Sequence, residues 1–73
     1  TYNVKLETSS ASQVQRVFEK LVSESATIKN LRIEEVGETS FMLLELKLPS
    51  KVTVEDLVKE LCQYSNVREF TML

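Results

Sequence analysis

Seventy-three residues, 42% of them apolar, suffice for one thin hydrophobic core and leave no room for a second domain. With no His, one Cys and one Gly, the chain lacks the parts for a Ser-His or Cys-His nucleophile pair, a His-containing zinc site, an internal disulfide, a CxxC motif, a P-loop or a GxGxxG loop. Nine basic against eleven acidic side chains, both signs scattered, give a net charge of −2 without the basic face of a nucleic-acid module, and no apolar run approaches the roughly 20 residues of a membrane span.

Residues 2–7 alternate apolar and polar, which predicts a strand with Tyr2, Val4 and Leu6 on one side. Ser10-Ala11-Ser12-Gln13 reads as a capping box. The Ser10 hydroxyl can accept the Gln13 N–H while the Gln13 side chain reaches back. Behind it, Val14, Val17, Phe18, Leu21 and Val22 follow the i, i+3, i+4, i+7, i+8 spacing of one helical stripe, and the helix is expected to stop between Ser23 and Ser25.

Residues 28–36 return to strand texture, but Ile28, Leu31, Ile33 and Val36 do not alternate cleanly, so a bulge or a register change is expected near Lys29-Asn30. Gly37-Glu38 suits a type II′ hairpin turn, whose first position needs positive φ. In the next strand, Ser40 to Leu48, Met42, Leu44, Leu46 and Leu48 share one face, and Phe41, Leu43, Glu45 and Lys47 the other. Apolar residues on both faces at its start indicate a central strand, and Pro49 ends it.

Thr53-Val54-Glu55-Asp56 is a second helix start with acidic residues in its first turn. Val54, Leu57, Val58, Leu61 and Cys62 repeat the helical stripe, which places Cys62 in the core, and Ser65-Asn66 is the expected stop. Residues 67–73 form a last strand with Phe70 and Met72 inward. The order β-α-β-β-α-β, with right-handed crossovers, places both helices on one face of a four-stranded antiparallel sheet. This is an α+β, ferredoxin-like sandwich occupying the whole chain as a single domain.

Few side chains suggest chemistry. Cys62 reads as a small buried hydrophobe. Glu34, Glu35 and Glu38 crowd the hairpin, but adjacent strand residues point to opposite faces, so Glu34 and Glu35 cannot share one cation cage. Ser9, Ser10 and Ser12 are explained by capping. Tyr2 and Phe41 lack the basic, Gly-interleaved setting of an RNA-stacking platform. Phe41 and Leu43 stand out, because helices cover only one face of the sheet and these two belong to the other. With Leu73 they are the candidate interaction surface. No catalytic residue, cofactor or metal site is expected.

The element order, without catalytic residues, resembles the ACT-like regulatory domains, which pair through sheet or helix surfaces and sense small molecules at their interfaces. Amino-acid-binding members carry Gly in the turn after the first strand, where this chain has Thr8-Ser9-Ser10-Ala11. The segments Leu44-Glu45-Leu46-Lys47-Leu48-Pro49, Val54-Glu55-Asp56-Leu57-Val58-Lys59-Glu60-Leu61 and Asn66-Val67-Arg68-Glu69-Phe70 resemble the cytoplasmic C-terminal domain of MgtC/SapB-family membrane proteins. That resemblance implies a non-catalytic regulatory tail on the cytoplasmic side of a bacterial membrane, in a parent linked to magnesium homeostasis or virulence. It would act by self-association or by docking to another part of that parent. A start at Thr1, not Met, agrees with excision from a longer protein. The alternative is a ligand-sensing ACT domain of a soluble metabolic enzyme. Acylphosphatase-like enzymes of this topology need an Arg, and heavy-metal chaperones a CxxC, in the loop after the first strand. That loop contains neither.

Overall fold

A computed structural model describes the whole chain, Thr1–Leu73. The elements are β1 (Tyr2–Thr8), α1 (Ala11–Ser23), β2 (Thr27–Val36), β3 (Thr39–Lys47), α2 (Val54–Leu61) and β4 (Asn66–Met72). The strands form one sheet in the order β2-β3-β1-β4, with every neighbouring pair antiparallel. Because β3 lies between β1 and β2, and β1 between β3 and β4, each helix crosses over a strand, and both helices cover the same face. The ferredoxin-like expectation holds.

The helix starts follow their capping residues. The Gln13 N–H donates to the Ser10 hydroxyl at 3.3 Å, and the Asp56 N–H to the Thr53 hydroxyl at 3.4 Å. The reciprocal half of the first box is displaced by one residue, since the Gln13 side-chain oxygen accepts the Ser9 N–H at 2.9 Å instead of that of Ser10. α1 ends in a Schellman motif. Ser25 is left-handed at φ 61°, its N–H bonds the Val22 carbonyl, and the Ala26 N–H bonds that of Leu21, each at 3.0 Å. Gly37 has φ 63° and Glu38 does not share the left-handed region, as a type II′ turn requires.

The predicted bulge is present, with a register shift between Ile28 and Asn30. A second shift, in β4 opposite Lys5 and Leu6, leaves Arg68 outside the ladder with β1. Arg68 pairs with the Glu7 carboxylate on β1.

Val4 and Leu6 of β1 and Met42, Leu44 and Leu46 of β3 meet Val17 and Leu21 of α1 and Leu57 and Leu61 of α2. These nine form the entire fully buried apolar core. Beside them Thr8 is buried, its hydroxyl satisfied by the Ser40 carbonyl at 3.2 Å.

The core is narrower than the apolar stripes suggest, and three expectations are corrected. Cys62 is exposed. α2 finishes at Leu61, Cys62 is its C-cap, and tight bonds from Gln63 to Glu60 and from Tyr64 to Leu61 turn the chain off the stripe. Phe18 and Val22, 41% and 58% exposed, lie on the flank of α1 and not beneath it. Met72, at the end of edge strand β4, is 69% exposed, whereas Phe70 is half-buried with its ring 5.4 Å from that of Tyr2.

Candidate functional site

The sheet face opposite the helices presents Asn3, Lys5 and Glu7 from β1 beside Glu45, Leu43 and Phe41 from β3. From β2 it adds Asn30, Arg32 and Glu34 in register with the same three β3 residues. Strand alternation puts these side chains on one surface. Phe41 and Leu43 are both on it and both half-buried.

Neither apolar side chain is bare. The Lys5 ammonium lies 5.1 Å from the centre of the Phe41 ring, within cation–π range. Leu43 is on the floor of a shallow depression of about 320 Å³, whose rim is Lys5, Arg32, Glu45 and Glu69. Two cations and two carboxylates balance one another, so the depression is not selective for a small ion of either sign. A small apolar centre inside a mixed polar rim is the anatomy of a protein-protein contact.

Leu73 shares the open side of the sheet by alternation but lies far from Phe41. It follows the Tyr2/Met72 pair at one end of β4, while Phe41 faces Glu7, whose partner on β4 is Asn66 at the other end. Its backbone N–H bonds the Thr1 carbonyl at 2.9 Å, and its side chain is 64% exposed at the sheet corner. The candidate surface therefore contracts to Phe41 and Leu43 with their charged neighbours.

Other positions hold little free chemistry. Around the β1–α1 turn, Ser9, Gln13 and residues 62–66 line a hollow of about 220 Å³, in which the Ser9 and Gln13 groups bond each other. The acidic hairpin is dispersed: Glu34 engages Arg32 at 3.2 Å, and Glu35 points to the other face. No three side chains of the metal-ligating types converge anywhere in the structure. No helix is long and apolar enough to cross a membrane. Lys20 has its pKa raised from the usual 10.5 by its hydrogen bond to Glu24, with Glu60 of α2 reinforcing the effect.

The fold is an α+β sandwich of the ferredoxin-like class, with helices on one face of the sheet and the other face open. Among solved structures the chain is similar to the C-terminal domain of the MgtC protein from Mycobacterium tuberculosis. The TM-score is 0.66 and the identity 18%, over 94% of this chain and 80% of that one. The expected resemblance is thus borne out in the fold. No family model and no curated protein matches the chain.

Proposed function

We propose that this chain is a non-catalytic regulatory and interaction domain of an MgtC-type membrane protein, placed on the cytoplasmic side. Its partner is the rest of its own parent, and the link to magnesium homeostasis would come through that parent. The observation that carries this reading is the likeness to the MgtC C-terminal domain over 94% of the chain. The mixed surface around Phe41 and Leu43 supports it, because a small apolar centre with a balanced charged rim suits a reversible contact.

The test is capture of the parent's detergent-solubilised membrane part by the 73-residue chain, with Phe41→Glu as control. Retention by the wild type and its loss in the variant are expected, since the substitution puts a carboxylate at the apolar centre. Equal retention by both removes the Phe41 surface from the contact, and no capture together with thermal stabilisation of the chain by an amino acid or nucleotide contradicts the proposal and favours a ligand-sensing domain.

A further inference from the structure

Strand register arranges the open face in rows that run across the strands. One row holds Arg32, Leu43, Lys5 and Glu69, in the order β2, β3, β1, β4. The next row, toward the β2–β3 hairpin, holds Glu34, Phe41, Glu7 and Asn66 in the same order. Arg68, set outside the ladder by the shift in β4, joins this second row through its bond to the Glu7 carboxylate. Residues two apart on a strand are separated by about 7 Å, so the two rows are close neighbours.

Column by column, the rows are opposites. Arg32 lies beside Glu34 on β2, and Lys5 beside Glu7 on β1. On β4, Glu69 lies beside Asn66 and Arg68. Only β3 breaks the charge, with Leu43 beside Phe41. None of these side chains belongs to the buried core.

We propose that two copies of the chain stack open face on open face, on a two-fold axis that runs across the strands between these rows. That rotation lays each row over the other row of the partner. Arg32 then faces the partner's Glu34, Lys5 the partner's Glu7, and Leu43 the partner's Phe41, each contact occurring twice. Glu69 faces the partner's Asn66 and the partner's Arg68. Arg32 already holds Glu34 of its own strand at 3.2 Å, so the two pairs close a ring of four alternating charges. The remaining open-face acid of β3 meets no like charge, because Glu45 comes over the partner's Thr39.

Charge selects both the occupant and the axis. An axis through the Arg32–Lys5 row, or through the Glu34–Glu7 row, would set like charges face to face. An axis along the strands, between β3 and β1, would set Leu43 against the partner's Lys5 and Phe41 against the partner's Glu7. Twisted sheets stack with their strands about 30° apart. The match is therefore best kept at the middle of the face, where Leu43, Phe41, Lys5 and Glu7 lie. The long side chains of Arg32 and Glu34 span the offset at its margin.

One face of a four-stranded sheet makes a small contact of the reversible class. The stacking rests on the reading of the open face as a contact surface, and it adds a regulation to that reading. A second copy covers the surface that the parent's membrane part would touch, so the two contacts exclude each other.

Sedimentation equilibrium of the 73-residue chain tests it. The wild type should dimerise reversibly, and Leu43→Asp should abolish dimerisation. Lys5→Glu and Glu7→Lys should each weaken it at least about tenfold, because two attractive contacts become repulsive. An equimolar mixture of those two variants should restore dimers, since every contact between positions 5 and 7 then joins opposite charges. Native circular dichroism is expected throughout, all three positions lying outside the core. In wild type mixed from labelled and unlabelled copies, intermolecular nuclear Overhauser effects should join the Leu43 methyls to the Phe41 ring, a readout that needs no variant. A wild type monomeric at millimolar concentration overturns the proposal, as do dimers indifferent to Leu43→Asp or a mixture no better than its components. If pairing fails while capture by the parent's membrane part persists, only the stacking falls. If capture fails while the charge-swap mixture pairs, the stacking stands and the parent reading falls.

Discussion

Ser25 is the one non-glycine residue with positive φ, and it closes the Schellman turn after α1. A side chain there raises the energy of the left-handed backbone, and glycine removes that cost at some loss of unfolded-chain entropy. Ser25→Gly should therefore stabilise the fold by about 0.5–1 kcal/mol and raise the melting temperature by a few degrees. Lys20 acts through charge. Its folded-state pKa is raised, so its stabilising effect is complete below the usual 10.5 and is lost as pH climbs through the folded value. Stability of the wild type should accordingly fall toward that of Lys20→Met above about pH 10.5, with the difference between them constant at neutral pH, as urea titrations would show. This contribution is a surface one and small.

The thin core makes single apolar residues matter at the scale of elements. Leu61 is fully buried at the last position of α2, and truncating it to Ala should cost about 2–5 kcal/mol. That is a large share of the roughly 5–15 kcal/mol available to a domain. Val22→Ala, on the exposed flank of α1, should cost under about 1 kcal/mol. Denaturation of the two variants side by side checks the contrast.

The same contrast shows what was legible in the sequence. The caps at Ser10 and Thr53, the turn at Gly37 and the bulge near Lys29 are local chemistry, and the sequence is read correctly there. The stripes on α1 and α2 were legible as stripes, but their boundaries were not. Whether Phe18, Val22 or Cys62 is covered depends on how each helix rolls on the sheet and where it stops, which are tertiary outcomes. Phe41 and Leu43 were placed on the open face by strand alternation alone. The distance of Leu73 from Phe41 is not legible in the same way, because it depends on the pairing of β4 with β1. The exposure of Leu31 and Ile33 carried no local signal: both lie on the apolar face of a strand, and only its position at the sheet edge leaves them uncovered.

For the whole molecule, three surfaces differ in character. The helix-covered side is committed to the core, β2 lies at an edge of the sheet, and the open face holds a small apolar centre among balanced charges. In the proposed interaction role, the domain would act through a change in what its open face touches. The most direct measurement is an amide correlation spectrum of the isotope-labelled 73-residue chain, recorded as the parent's membrane part is added. The account predicts resonance changes centred on Lys5, Phe41 and Leu43 and their neighbours Arg32 and Glu45. Changes centred instead on Ser9, Gln13 and Tyr64, or no changes at all, would contradict it.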